Sequence, residues 1–261
     1  MGREFVRQLG KKYPWLDEIW AIARREEELD LLKKEVPEVF VRPLSLDISR
    51  EEERHKLDSC LNSKKPEILF LVNGAGMGIQ KLFSRIPPEK AASMTELNCT
   101  ALTEITGICL PYCRKGSRIF MLASAAAFIP QPGFGVYAAS KAYVVSFSRS
   151  LNRELKPRKI QVTAICPGPV DTPFLEKMGG RDQMPGYKKL FIANPEAVVR
   201  KAVKDGEKGK EMSVPGFFIK ALRAGCKAIP HSLILKFMEV KTDSCIKRQR
   251  KKSKREILDI S

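Results

Sequence analysis

Three side chains in the middle of the chain have types and a spacing that suit proton transfer. Tyr137 and Lys141 lie four residues apart in the stretch YAASK, and Ser124 lies thirteen residues upstream of Tyr137. Residues four apart on a helix share a face, so Lys141 would place its ammonium beside the phenol. A free phenol has a pKa of about 10, and a neighbouring cation favours the phenolate. We therefore predict a tyrosine with a lowered pKa that exchanges a proton with an alcohol or carbonyl, with Ser124 hydrogen-bonded to the same oxygen.

The segments around these residues alternate between strand-like and helix-like patterns. EILFLVNGAG and SRIFMLAS are apolar runs typical of buried strands, whereas EKAASMTELNCTALTEITGICLPYC and YAASKAYVVSFSRSLNRELK are typical of helices. This rhythm predicts an α/β fold in one domain, residues 1–215, with a doubly wound parallel sheet covered by helices on both faces.

Polar residues and glycines collect where the apolar runs end. The predicted strands run into the segments ARR, LDIS, VNGAGMG, LASAAAF and CPGPVDT. Ligands of open parallel sheets bind at the carboxyl ends of the strands. The sequence therefore predicts a binding site at this edge of the sheet.

These motifs resemble the classical short-chain dehydrogenase/reductase family over nearly all of residues 2–215. Besides Ser124 and YAASK, the matching features are NGAG after a buried strand, Asn98 in ELNCTAL, PGPVDT, and Asp47 in LDIS. Five motifs in the family's order are a specific signal. The resemblance implies a Rossmann-type sheet and an NAD(P)-dependent enzyme that acts on CH–OH groups.

The family's roles carry over to matching positions. Tyr137 would be the proton donor and acceptor, and Lys141 would lower its pKa and hold the nicotinamide ribose. Ser124 would orient the substrate oxygen, and Asn98 would position a water in the proton relay. Besides Tyr137 and Lys141, the implied cofactor-binding residues are Gly2, Arg24, Arg25, Asp47, Asn73, Gly74, Ala75, Gly76, Pro167, Gly168, Val170 and Thr172.

The choice of cofactor depends on the residues that end the second strand of the family's fold. An acid there would bind the ribose 2′-hydroxyl, whereas an arginine accommodates a 2′-phosphate. Arg24 and Arg25 stand there, and a guanidinium suits phosphate geometry. We predict NADP(H), with NAD as the alternative and Arg24 as the better candidate. The alternative is that both arginines are surface charges, and Asp47 could instead cap the following helix.

The resemblance also indicates that an element is missing. Family members usually begin with a buried strand and a glycine-rich turn, TGxxxGxG, which lead into a helix. GREFVRQL resembles the start of that helix, with Gly2 at the last glycine of the turn. We therefore expect a sheet that lacks its first strand, weak dinucleotide binding by the chain as it stands, and a Met1 that is internal to a longer product.

The C-terminal part differs from the compact core. Residues 216–240 form apolar helical segments around Pro230, and residues 241–261 contain eight Lys/Arg and three Asp/Glu. The apolar segment could pack on the substrate side or in a subunit interface. Alternatively, it could contact a membrane surface, reinforced by the basic tail. The tail shows no pattern for specific nucleic-acid binding and is typical of a solvated segment.

Composition argues against several other classes of protein. The chain has 261 residues, 43% of them hydrophobic and 30% charged, with a net charge of +17. Seven cysteines without a CxxC pair indicate reduced thiols, and two distant histidines argue against a metal site. We find no transmembrane-length apolar run and no secretory signal, so we predict a cytoplasmic protein, peripheral to a membrane in the alternative above.

The combined prediction is an NADP(H)-dependent oxidoreductase that interconverts a carbonyl and a secondary alcohol. A steroid, a fatty-acyl ketone and a sugar-like ketone are all compatible substrates, and the family often forms homo-oligomers through the helices that carry Asn98 and Tyr137. Two rival hypotheses remain open. One is a catalytically impaired remnant of the family, and the other is a protein that binds membranes or polyanions through its basic C-terminal region.

Overall fold

The computed structural model describes residues 1–178, 191–236 and 238. The basic tail 241–261, and Phe237 in the apolar C-terminal segment, lie outside the described residues.

Helices and strands alternate along the chain as predicted. The strands are β1 (Glu18–Ala23), β2 (Phe40–Ser45), β3 (Ile68–Asn73), β4 (Cys113–Leu122), β5 (Gln161–Ile165) and β6 (Met212–Ser213). The α-helices are α1 (Gly2–Lys12), α2 (Glu26–Glu35), α3 (Glu51–Lys64), α4 (Pro88–Thr95), α5 (Ala101–Cys109), α6 (Gly135–Glu154), α7 (Pro173–Lys177), α8 (Pro195–Glu207) and α9 (Phe217–Ala228). A π-helical turn, Glu96–Thr100, joins α4 to α5, and a 3-10 turn, Ala125–Phe128, follows β4.

The strands form two parallel sheets. One has the order β1-β2, and the other has the order β3-β4-β5-β6. Among the described residues, no strand pairs with β1 on the side away from β2, or with β3 on the side away from β4. This split agrees with the expectation that the first strand of the family's sheet is absent. The apolar residues of β3 are only partly buried, so β3 has the composition of a central strand but lies at a sheet edge.

The helices cover both faces of the larger sheet. On β4, Ile119 and Met121 point into a cluster formed with α5 and α6, whereas Phe120 points into a cluster formed with α1 and α8. This alternation follows from the period of two in a strand. The ring of Phe5 on α1 lies 5.4 Å from that of Phe120, which fixes α1 over the sheet.

Local sequence explains where the two helices of that face begin and end. Phe5 and Leu9, one turn apart, give α1 its buried face, and Pro14 follows closely after its end. Asn194 caps α8 by accepting a hydrogen bond from the Glu196 amide at 2.8 Å. With these helices in place, the carboxyl ends of the strands remain open at one edge.

The C-terminal helix α9 packs on the core through Ile219 and Cys226, which are both buried. Residues 231–236 are also helical. In the described part of the chain, every helix is too short or too polar to cross a membrane.

Candidate active site

The predicted site residues meet at the edge where the parallel strands end. Arg24 directly follows β1, and Asp47 comes shortly after β2. The NGAG stretch begins with the last residue of β3, and Ser124 follows β4 by one residue. Because both sheets are parallel, each places the residues that follow its strands at a single edge, as the sequence predicted.

Tyr137 lies in the first turn of α6 and is buried, with 6% of its surface exposed. Its ring stacks on Phe134, with centroids 4.3 Å apart, and lies 5.9 Å from the ring of Phe174. Its hydroxyl is hydrogen-bonded with that of Ser124. The pairing of these two hydroxyls agrees with the sequence prediction.

Lys141 lies one turn further along α6 and is 4% exposed. Its Nζ atom lies 5.7 Å from the centre of the Tyr137 ring and donates a hydrogen bond to the Leu122 carbonyl oxygen at 2.8 Å. That carbonyl ends β4, so Lys141 links α6 to the strand that precedes Ser124.

Burial, rather than the neighbouring cation, dominates the electrostatics of this pair. Desolvation raises the pKa of Tyr137 to about 12, against the lowering effect of the Ser124 hydrogen bond. Desolvation also lowers the pKa of Lys141 to about 8. The predicted lowering of the Tyr137 pKa by Lys141 is therefore wrong for this structure, because both groups are enclosed by apolar neighbours and each neutral form is favoured.

Asn98 is fully buried at the π-helical turn between α4 and α5. Its Oδ1 atom accepts a hydrogen bond from the Met77 amide at 2.9 Å, and its Nδ2 atom donates to the Met77 carbonyl at 2.9 Å and to Ser140 Oγ at 3.0 Å. The sequence predicted one continuous helix here. The π turn lets the amide face the loop after β3, and such turns are frequent at functional sites.

The loop after β3 passes close to the π-helical turn with Asn98 and to α6 with Lys141. A Cβ atom at Gly76 would lie 3.1 Å from Asn98 Oδ1 and 3.3 Å from Lys141 Nζ, and one at Gly74 would lie 3.7 Å from the Gly2 Cα atom. The space above Gly76 is therefore shared by the polar groups of Asn98 and Lys141. Gly2, at the start of α1, therefore lies beside this loop.

Asn73 differs from its predicted role. Its side chain is buried and donates to Thr106 Oγ1 at 3.0 Å and to the Met121 sulfur at 3.2 Å. These partners belong to α5 and β4, so the Asn73 side chain joins the sheet to a helix instead of facing the site. Ala75, two residues on, is exposed.

The two candidate residues near the adenine end lie together. Arg24 and Asp47 are 3.8 Å apart between charged atoms, and the Arg24 side chain is largely exposed. Burial raises the pKa of Asp47, but hydrogen bonds from Ser49 and the charge of Arg24 outweigh it, so the net pKa is lowered. Arg25 instead faces Glu28 on α2 at 3.4 Å. The geometry thus favours Arg24 over Arg25 as a ligand-facing cation.

The PGPVDT loop closes another side of the site. The Pro167 carbonyl accepts a hydrogen bond from the Ala125 amide at 2.8 Å, which holds the loop beside Ser124. A Cβ atom at Gly168 would lie 2.7 Å from Ile219 Cδ1, so this loop also contacts α9. The Thr172 hydroxyl donates to the Val170 carbonyl at 3.3 Å, within the loop.

Several apolar residues of the site were not predicted. Met77, Ile79 and Phe174 pack with Phe134 around Tyr137. Only their positions in the sequence could have indicated these residues. Met77 and Ile79 come just after NGAG, and Phe174 comes just after PGPVDT. The Tyr137 ring is therefore enclosed by apolar side chains.

This geometry can be compared with known proteins. A family model described as short chain dehydrogenase matches residues 1–182. The chain belongs to the short-chain dehydrogenase family. Its sheet of parallel strands, with helices on both faces, is the Rossmann-type fold of that family.

Relatives with curated names are dehydrogenases or reductases. The chain is 33% identical over 164 residues to serine 3-dehydrogenase of Rhizobium radiobacter, covering 61% of this chain and 65% of that protein. It is 31% identical over 158 residues to the 3-oxoacyl-[acyl-carrier-protein] reductase of Thermotoga maritima, and this alignment covers 59% of this chain and 64% of that protein. Both alignments span just under two thirds of the relative. The very-long-chain 3-oxoacyl-CoA reductase of Mus musculus is 26% identical over 265 residues, and this alignment covers 98% of this chain and 80% of that protein.

Solved structures share the fold. A short-chain dehydrogenase from Sphingobium yanoikuyae in complex with NADPH has a TM-score of 0.74 at 23% identity, covering 88% of this chain and 89% of that one. A 3-ketoacyl-(acyl-carrier-protein) reductase from Brucella melitensis complexed with NADH has a TM-score of 0.67 at 22% identity, and the match covers 82% of this chain and 90% of that one.

Proposed function

We propose that the protein is an NADP(H)-dependent oxidoreductase that interconverts a carbonyl group and a secondary alcohol. One observation carries this proposal. Tyr137 is enclosed by apolar side chains, the Ser124 hydroxyl is placed to hydrogen-bond its phenol, and Lys141 Nζ lies 5.7 Å from the centre of its ring. Membership of the short-chain dehydrogenase family supports it.

In this proposal the chain supplies proton transfer and orientation. The Tyr137 hydroxyl passes its proton to the substrate oxygen in reduction and takes it back in oxidation. The Ser124 hydroxyl donates a hydrogen bond to the same oxygen and holds it in place. Asn98 and Lys141, which border the space above Gly76, carry the proton path away from Tyr137. When bound, the nicotinamide cofactor supplies or accepts the hydride.

The residues present fit the nicotinamide and adenine ends of a dinucleotide, and weak binding is still expected, because Gly2 and the first amides of α1 supply the phosphate contacts without the rest of the glycine-rich turn. Gly76 leaves room beside Lys141 and Asn98 that any side chain would take, and a side chain at Gly74 would approach Gly2 at the start of α1. Helix N-termini and glycine loops suit phosphate groups. Arg24 would hold the 2′-phosphate of NADPH, Asp47 would lie near the adenine, and the Pro167–Thr172 loop would border the nicotinamide.

We expect Arg24→Ala to raise the KM for NADPH by about 10- to 100-fold and to change the KM for NADH little, because a hydrogen bond to a charged group contributes about 1.5–3 kcal/mol. Steady-state kinetics with both cofactors measures this difference. Arg200→Ala is a matched control, because Arg200 is an exposed arginine on α8 that pairs with Glu196. An equal change for both cofactors would show that Arg24 does not read the 2′-phosphate.

We propose a lipophilic ketone as the substrate, since Phe134, Phe174, Met77 and Ile79 surround Tyr137. The names of the mouse and Thermotoga relatives, which specify oxoacyl substrates, point the same way. Use of NADP(H) would favour reduction over oxidation in the cell.

The test is NADPH oxidation with a series of 3-oxoacyl thioesters of increasing chain length. We expect kcat/KM to rise about threefold to fourfold per added methylene until the pocket is filled, as burial of each methylene contributes about 0.8 kcal/mol. Dihydroxyacetone is the polar control and should be a poor substrate. A kcat/KM that does not change with acyl-chain length would contradict a lipophilic substrate. Failure of the protein to bind NADPH and NADH would favour the catalytically impaired alternative.

We further propose a cytoplasmic homo-oligomer. The six cysteines in the described part of the chain are unpaired, which suits a reducing compartment. The exposed face of α6, which includes Tyr143, is available for self-association. Light scattering of the purified chain would measure the oligomeric state.

A further inference from the structure

The C-terminal helix α9 has two faces with different environments. Ile219 and Cys226, seven residues apart, are buried against the core, and Ile219 contacts the loop at Gly168. These contacts anchor the helix beside the candidate active site. The helix is therefore held in one orientation on the domain, and its opposite face is fixed outward.

The outward face is apolar. Phe217, opposite the buried residues, is 87% exposed, and Phe218 and Leu222, on one flank of the helix, are 41% and 39% exposed. The ring of Phe218 stacks on that of Phe191, with centroids 4.1 Å apart, which extends the patch to the neighbouring segment. Ile229 continues the patch beyond the end of the helix. Large apolar side chains grouped in this way on a soluble domain mark an interaction surface.

The charges on the same segment have a single sign. Residues 217–236 include Lys220, Arg223, Lys227 and Lys236, and they include no Asp or Glu. Lys220 and Lys227 are seven residues apart and therefore lie on one side of α9, where both are exposed. Lysines that border an apolar face can extend their ammonium groups toward anionic headgroups while the face enters the interfacial region.

We propose that the outward face of α9 binds the surface of an anionic phospholipid bilayer. Phe217 enters the boundary between headgroups and acyl chains, and Lys220 and Lys227, on the side of the helix next to Phe217, contact lipid phosphates and carboxylates. A bilayer fits this surface better than a second copy of the chain, because two copies meeting here would bring the lysines of both together without an acid on either segment. The contact would hold the active-site side of the domain near the lipid.

The experiment is vesicle flotation of the full chain with phosphatidylcholine vesicles and with vesicles that also contain phosphatidylserine. We expect binding to the anionic vesicles that weakens as salt is raised. Phe217→Ser should lower the partition coefficient about tenfold or more. Lys220→Glu combined with Lys227→Glu should cause a similar loss on anionic vesicles only.

Phe40→Ser is the matched control, because Phe40 is an exposed aromatic at the amino end of β2, at the opposite edge of the sheet. It should bind vesicles like the unmodified chain. The proposal is overturned if the unmodified chain does not float, or if the Phe217→Ser variant floats equally well, which would assign binding to another segment such as the basic tail. It is also overturned if these substitutions abolish self-association in light scattering while vesicle binding stays unchanged.

Discussion

Tyr137→Phe is expected to lower kcat for carbonyl reduction by about 10³-fold while the protein stays folded and still binds NADPH. The hydroxyl of Tyr137 is the group placed to give a proton to the substrate oxygen, and positioned general acids contribute about 10²- to 10⁴-fold. The ring remains stacked on Phe134, so the pocket should keep its shape. Steady-state kinetics and fluorescence titration of NADPH separate the loss of chemistry from a loss of binding.

Tyr143→Phe is the matched control for this prediction. Tyr143 lies on the same helix but is exposed, and its hydroxyl is hydrogen-bonded with Thr103 Oγ1 at 2.7 Å, away from the pocket. This variant should turn over substrate at the unmodified rate. If Tyr137→Phe retained more than about a tenth of kcat, Tyr137 would not be the proton donor.

The position of the candidate site was predictable because it depends on short segments and one topological rule. Ser124, Asp47 and the NGAG loop each follow an apolar run, and parallel strands gather such segments at one edge. Arg24 was favoured over Arg25 because it directly follows β1, and the structure gives it the contact with Asp47. None of these inferences required knowledge of packing.

Packing decided the features that the sequence did not predict. The pKa of Tyr137 is set by enclosure between Phe134 and Phe174, which lie on segments distant from each other, and spacing alone shows only the nearby lysine. The side chain of Asn73 follows from which face of β3 it occupies. That face could not be assigned reliably, since the residues of β3 before Asn73 are all apolar.

The π turn at Asn98 is a third feature that the sequence did not predict. Residues 88–109 have the apolar spacing of one helix, and the local pattern does not mark a break. The buried amide of Asn98 needs partners for both of its polar atoms, and the Met77 backbone supplies them only if the turn widens there. A constraint imposed by a distant loop therefore overrides the local helical periodicity.

Lys141→Met is expected to abolish turnover and to stabilise the fold at pH 7. Burial lowers the pKa of Lys141 to about 8 from its ordinary value of 10.5, so a charged ammonium in this site costs on the order of 3 kcal/mol of folding free energy. Loss of the hydrogen bond to the Leu122 carbonyl offsets about 1 kcal/mol of this. The net gain of about 2 kcal/mol should raise the Tm by about 5 °C.

The pH dependence distinguishes this explanation from a general packing effect. Between pH 8 and 10.5 the unfolded chain holds the Lys141 proton while the folded protein has released it, so the stability of the unmodified protein rises with pH in this window. The advantage of Lys141→Met should therefore be full below pH 8 and should disappear toward pH 10.5. Thermal unfolding across this range measures it, with Lys33→Met, an exposed lysine on α2, as the control for loss of a charge. A stability gain that is independent of pH would mean that the buried ammonium is not its source, and a lower Tm at pH 7 would mean that the lysine stabilises the fold.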